Sequence, residues 1–440
     1  MSAPTVHHLS LGPLTAHAFN ADRTRVAVCP NSHEVLIYAL AGGAWTLAAT
    51  LAEHDKLVTS VDWAPHTDRL VTCSQDRNAY VWTRDADAVP RAGASEVWKP
   101  TLVLLRLNRA ATCVRWSPNE DKFAVASGAR IISVCSFEAE NDWWVAKHIR
   151  RPLRSTILSL DWHANNVLLA AGCADMTARV FSAFIKGIDA KPAPSVWGER
   201  LPFGTVCGEW KTPAGGWVHG VSFSPDGDAL AFVGHDSSLT IAYPSGPDAP
   251  PHAVHVLRSP TLPYVSVQFA SNGSLVAAGH DCQPMLFTGS AEGGWKLDRS
   301  LDAAALAGGA GGAAAPPVPT RAPGGPGRLN NEAFNRFKSA DARGVPAASS
   351  FAPSASAGSG ASGSVAGGLG AVAGASVGAD GELHTTHQNT ITSIRPYKGD
   401  AQQLSHVSTS GVDGRLCIFA VPAAGSAAAL ASGIASMRVA

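Results

Sequence analysis

The sequence predicts an all-β fold: a seven-bladed β-propeller with a flexible low-complexity insertion that carries a short helix between blades 6 and 7. Three observations predict it. Short strands that end in an aromatic residue and a turn recur along the chain. Most of them lead through a second strand and an acidic turn into a third. The rhythm breaks once, between Asp302 and Leu383, where composition turns to Ala, Gly, Pro and Ser.

The recurring strands are Ser60-Val61-Asp62-Trp63, Cys113-Val114-Arg115-Trp116, Ser159-Leu160-Asp161-Trp162, Gly220-Val221-Ser222-Phe223 and Ser266-Val267-Gln268-Phe269. His17-Ala18-Phe19 is a degenerate first copy and Ser393-Ile394-Arg395-Pro396 a degenerate last one, which makes seven. Apolar and polar residues alternate in each, the pattern of a half-buried strand, and a following Pro, Asp, Asn or Gly supplies the turn. The acidic turns are equally regular. Six residues separate Asp76 from Trp82, Asp175 from Phe181, Asp281 from Phe287 and Asp413 from Phe419. Asp236 has the turn but leads to Ala242, and copies one and three have Ser32 and Arg130 near its place. An Asp in such a turn accepts bonds from local backbone N–H groups and from a His in the preceding loop. His54, seven residues before Val61, and His387, seven before Ile394, are placed for that bond. His54, Asp76, Trp82, Asp175, Asp236, Asp281, His387 and Asp413 therefore read as structural residues of the ring.

Successive anchors lie 44, 53, 46, 61 and 46 residues apart from Phe19 to Phe269, and the next interval, to Pro396, is 127. Four-stranded blades repeat every ~40–45 residues, so the last interval holds one blade and roughly 80 extra residues. The expected organisation is blades 1–6 over 1–301, the insertion over 302–383, blade 7 over 384–420 and an Ala-rich tail over 421–440. Only three strands remain for blade 7, so residues 5–11 are expected to supply its outer strand and close the ring without a free sheet edge.

Lys plus Arg equals Asp plus Glu at 34 each, without the basic excess that a nucleic-acid partner requires. No apolar run approaches the ~20 residues of a membrane-spanning helix, and a soluble intracellular protein is expected. The eight cysteines are scattered singly, with no CxxC pair, and read as buried thiols. No GxSxG, Walker, HExxH or dinucleotide-binding pattern is present, so neither a catalytic residue, a cofactor nor a metal site is expected.

Two segments read as interaction elements. The run Lys147-His148-Ile149-Arg150-Arg151-Pro152-Leu153-Arg154 lies in the connection leading into the fourth repeat, where a propeller presents loops on one rim. With Trp143 and Trp144 upstream, its residues Lys147, Arg150, Arg151 and Arg154 suit an acidic subunit or activator, since Trp and Arg are enriched at interface hot spots. The second segment is inside the insertion. Leu329, Ala333, Phe334 and Phe337 share one stripe of a helix near 330–343, flanked by Arg336 and Lys338. Asn330 or Asn331 caps it, and Gly344 and Pro346 stop it. About 13 residues are marginal as a free helix, so it is expected to order on docking its aromatic face into a groove.

These features together resemble the WD-repeat subunit family of the actin-related protein 2/3 complex. The likeness is densest over 143–175, above all the run from Lys147 to His163. Similar stretches are Arg179-Val180-Phe181-Ser182-Ala183-Phe184-Ile185-Lys186, Gly216-Trp217-Val218-His219-Gly220-Val221 and Ser274-Leu275-Val276-Ala277-Ala278-Gly279-His280-Asp281-Cys282. The resemblance implies a non-catalytic scaffold in a seven-subunit assembly that nucleates branched actin filaments in the cytoplasmic actin cytoskeleton. Its implied partners are the actin-related proteins, the small subunits, the actin filament and the acidic tails of WASP-type activators. It also implies that the insertion helix contacts actin, with Phe334 and Phe337 as anchors. The insertion is longer and richer in Ala and Gly than is usual in the family. The competing reading is a substrate receptor for a ubiquitin ligase, whose Trp-Asp-x-Arg box is absent after Trp82 and Phe181.

Overall fold

Seven antiparallel sheets of four strands each form a ring, seen in a computed structural model. It describes residues 3–9, 12–90, 93–246, 249–302 and 383–423. All of these belong to one of the chain's two units, Met1–Gly309 with Ala373–Ala440; the second unit, Ala310–Val372, lies outside them. Strands are lettered a to d from the axis outward.

Each recurring motif forms an inner strand a: Ala16–Phe19, Val58–Trp63, Ala111–Trp116, Ile157–Trp162, Val218–Phe223, Tyr264–Ser271 and Ile391–Gly399. In blades 1 to 6 the four strands follow in chain order. In blade 7 the outer strand is Thr5–His8, antiparallel to Arg415–Ala420, so the two ends of the chain share one sheet. This leaves no sheet of three strands with an extra unpaired edge.

The core lies between the blades. Val61, Trp63 and Leu70 of blade 2 pack with Val35, Ile37 and Leu51 of blade 1, and six further clusters repeat the arrangement around the ring. In blades 1, 2, 3 and 6 the aromatic at the end of strand a meets a Trp on strand d of the same blade. Ring centroids are 6.0 Å apart for Phe19–Trp45, 5.6 Å for Trp63–Trp98, 5.7 Å for Trp116–Trp144 and 5.9 Å for Phe269–Trp295. Such pairs add ~0.5–1.5 kcal/mol each beyond the area they bury, and here each ties the innermost strand of a blade to its outermost.

Where blade 4 departs from the repeat, residues 183–205 run between strands c and d across neighbouring blades. Fully buried Trp197 donates its indole N–H to Gly227 O at 2.7 Å. Lys122 of blade 3, also fully buried, pairs with Asp189 of this connection.

Candidate functional site

Consecutive blades are joined on one face of the ring, which carries the d-to-a connections and the b-to-c turns. One backbone bond recurs there: Gln75 N–H to Leu57 O, Gly128 to Ala110, Ala174 to Thr156, His235 to Trp217, His280 to Pro263 and Val412 to Thr390. The turn of each blade is thereby fastened to the connection entering the same blade. Side chains on this face are held by rigid sheets.

In blade 2 a polar relay does the fastening. His54 Nδ1 is 2.7 Å from Asp76 Oδ2, and its Nε2 is 2.8 Å from Thr72 Oγ1, which also accepts the Trp82 indole N–H at 3.0 Å. Asp76 accepts a proton and Thr72 accepts from Trp82, so the Thr72 hydroxyl donates to Nε2 and neutral His54 carries its proton on Nδ1. Burial holds His54 below its ordinary pKa, against the pull of Asp76. Blade 7 repeats the relay: His387 Nδ1 is 3.1 Å from Asp413 and Nε2 is 2.7 Å from Thr409 Oγ1, with Phe419 stacked where blade 2 has Trp82. Elsewhere the acidic residue is used differently. Asp175 takes two bonds from Arg179 Nη1, at 3.0 and 2.8 Å, Asp281 accepts the Leu262 N–H, and Asp236 accepts that of Ala214.

The basic run divides between a strand and a connection. Trp143–Ile149 is strand d of blade 3, not part of the loop the sequence implied. Pleating sends its residues to opposite sides. Trp144 is buried against Trp116 and Phe123, and so belongs to the core. Trp143 is exposed, and the Lys147 ammonium lies 4.5 Å from the centre of the Phe203 ring. Beyond the strand, Arg150 donates to His148 Nδ1 at 3.0 Å, leaving His148 Nε2–H to donate to Leu105 O at 3.0 Å. Arg151 and Arg154 are exposed in the connection that follows.

The fold adds residues that the sequence run did not include. Arg106 and Arg109 lie in the connection entering blade 3, and Arg130 lies in that blade's b-to-c turn. These elements are adjacent: a Cβ at Gly128 would sit 3.5 Å from Arg109 Cβ and 3.7 Å from Thr156 Oγ1. Arg106, Arg109, Arg130, Arg150, Arg151 and Arg154 are all exposed on this face, and none forms an ion pair among the described residues. Three segments distant in sequence thus make one arginine-rich surface.

The insertion leaves from the same face, in the connection between blades 6 and 7. Fully buried Asp302 accepts the Thr386 N–H at 2.6 Å and its hydroxyl at 2.5 Å, so the two roots are stapled although 84 residues apart in sequence. Leu329, Ala333, Phe334, Arg336, Phe337 and Lys338 lie outside the described residues.

On the axis, Asp62, Arg115, Asp161 and Arg395 from four inner strands line a cavity of about 420 Å³. Arg395 reaches across blade 1 to pair with Asp62 at 3.1 Å and to bond Val61 O at 2.8 Å. Burial pushes the Asp161 carboxyl up to about 6, against the Phe223 N–H and the charges of Arg115 and Arg395. Asp62 also accepts the Trp116 N–H, Asp161 accepts that of Phe223, and Arg115 donates to Val114 O. Among the described residues no cluster of His, Cys, Asp or Glu suits a metal ion. All eight cysteines are buried free thiols.

The ring and its His–Asp relays define a WD-repeat β-propeller, and residues 45–83 and 147–182 match the family model "WD domain, G-beta repeat". A more particular kinship runs over nearly the whole chain. It is 48% identical over 419 residues to actin-related protein 2/3 complex subunit 1 of Schizosaccharomyces pombe, covering 95% of this chain and 100% of the relative. It is 44% identical over 417 residues to subunit 1A-B of Xenopus laevis, covering 94% and 96%. It is 38% identical over 440 residues to subunit 1 of Saccharomyces cerevisiae, covering 96% and 98%. The chain belongs to the family of actin-related protein 2/3 complex subunit 1.

Proposed function

We propose that this chain is a non-catalytic scaffold subunit of the actin-related protein 2/3 complex, acting in the cytoplasmic actin cytoskeleton to support nucleation of branched filaments. The observation that carries this reading is kinship along nearly the full length of the family's proteins rather than over two repeats alone. Mechanically, the ring holds partners in fixed relation. Seven interlocked sheets resist bending, and the two chain ends share a blade, so load on one face passes to the whole ring. The arginine surface on blades 3 and 4 gives acidic segments, including the tails of WASP-type activators, charge-assisted bonds. The insertion rises from a stapled root on that same face, and its helix, through Leu329, Ala333, Phe334 and Phe337 with Arg336 and Lys338 beside them, contacts actin.

A tagged chain expressed in cells tests membership: two actin-related proteins and a set of small subunits are expected in the pull-down, and their absence would refute the assignment. In the purified complex, Phe337→Asp is expected to leave assembly intact and lower the branching rate roughly tenfold, as removal of a buried anchor does at an interface hot spot. Unchanged branching would remove the insertion from the actin contact.

A further inference from the structure

The face that carries the arginine surface has a second built site on blade 5. Trp217 ends the connection entering that blade and is 53% exposed. Its carbonyl accepts the His235 N–H at 2.8 Å, and its ring lies over the His235 imidazole at 5.8 Å with the planes 30° apart. His235 is itself oriented by a 2.9 Å bond between its Nδ1 and His219 Nε2. One side of the indole is thus supported, while the remainder faces solvent.

The residue after His235, Asp236, brings a carboxylate to the same turn. Asp236 Oδ2 accepts the Ala214 N–H at 2.9 Å, and Oδ1 accepts the Ser238 hydroxyl at 2.5 Å. Gly216 permits the approach, because a Cβ there would meet Asp236 N at 2.4 Å. No Lys or Arg pairs with Asp236 among the described residues; Arg258, opposite Ser238 on the outer strand, forms no ion pair. Burial, then His235 and His280, brings His219 down to about 4, so its imidazole is uncharged at neutral pH. His280 is lowered in the same direction, first by burial and then by His235, with Asp281 opposing.

We propose that Trp217, His235 and Asp236 form a receptor for a cationic side chain, the guanidinium or ammonium of an Arg or Lys on a partner chain. The indole face attracts a cation more strongly than any other side-chain ring. The adjacent carboxylate adds a charge-assisted bond and supplies the direction a flat aromatic surface lacks. An apolar partner side chain would cover Asp236 without answering its charge, and an anionic one would be repelled. This surface therefore takes a charge opposite to that taken by the arginine surface on the same face.

The test uses the full-length chain with ¹⁵N-labelled tryptophan, the Trp217 indole resonance being identified with Trp217→Phe. Titration with a blocked Gly-Arg-Gly peptide is expected to shift that resonance saturably. The citrulline counterpart, similar in shape but uncharged, is expected to bind roughly tenfold more weakly, as is the Arg peptide to Asp236→Asn. No shift with the Arg peptide, equal binding of the citrulline peptide, or unchanged affinity in Asp236→Asn would each overturn the proposal.

Discussion

Replacing Lys122 by Met is a severe test of how residues 183–205 are held. The Lys122 side chain is 0% exposed and that of Asp189 is 1% exposed, and the ammonium bonds both carboxylate oxygens. Its Nζ also lies 5.4 Å from the centre of the Trp162 ring. Asp189 has other donors, the Ile185 N–H at 2.7 Å and Asn166 Nδ2 at 2.9 Å. Breaking a buried pair from one side costs ~3–5 kcal/mol, because the survivor's charge is left uncompensated. The remaining donors place Lys122→Met at the low end, about 3 kcal/mol at pH 7. Burial holds Lys122 below its ordinary pKa despite Asp189, which indicates that desolvation outweighs the attraction. The double variant Lys122→Met with Asp189→Leu is accordingly expected to recover most of the loss. Urea unfolding at pH 7 measures both quantities. A single-variant loss below about 1 kcal/mol, or a double variant no better than the single, would refute the reasoning.

Two further outcomes follow from the same structure. Buried His17, His54 and His163 and half-buried His219 all have folded-state pKa values lowered from 6.5, chiefly by desolvation. The unfolded chain therefore takes up more protons as pH falls below 6.5, and stability falls with it, by up to about 1.4 kcal/mol per pH unit for each such group. Asp161, raised to about 6, acts in the opposite sense below that pH and offsets part of the loss. His219 is partly solvated and counts for less. A net loss of stability between pH 7 and pH 5 is expected in urea unfolding, and constant stability would contradict it. Reversing Arg150 and Arg151 to Glu is expected to leave the fold's stability within about 0.5 kcal/mol, since both are exposed, and to weaken binding of an acidic activator tail roughly tenfold or more. Unchanged affinity across a salt series would remove these residues from that surface.

The inner strands were legible because each repeats the same short demand, a half-buried strand ending in an aromatic. Phe19, Trp63, Trp116, Trp162, Phe223 and Phe269 all stand at or near the ends of their strands. Outer strands were less so. In Trp143–Ile149 both faces carry large side chains, since Trp144 enters the core while Trp143 and Val145 stay exposed, and the alternation is masked. Long-range pairing left no local signal. Lys122 follows an Asp near a turn and reads as solvated, yet its partner is 67 residues away. Arg106, Arg109 and Arg130 are isolated in sequence and join Arg150, Arg151 and Arg154 only because connections and turns share a face.

That shared face is the consequence of strand count. With four antiparallel strands per blade, every d-to-a connection and b-to-c turn falls on one side, and every a-to-b turn and c-to-d connection on the other. The second side carries the Trp63–Trp98 and Phe269–Trp295 pairs, the segment fixed by Lys122–Asp189 and Trp197, and exposed Trp143 at the start of its strand. The first side carries the exposed arginines, the half-exposed Trp217 with Asp236, which forms no ion pair among the described residues, and the stapled root of the insertion. Unpaired charge and exposed aromatic surface are unfavourable to fold stability and accumulate where a partner offsets them. An odd or shortened blade would have moved one connection to the opposite side and separated these sites. Four strands in each of blades 1 to 6 bring the insertion's root back to the same side as the arginine surface, and strand Thr5–His8, in the fourth position of blade 7, delivers the chain to that side again as it enters blade 1.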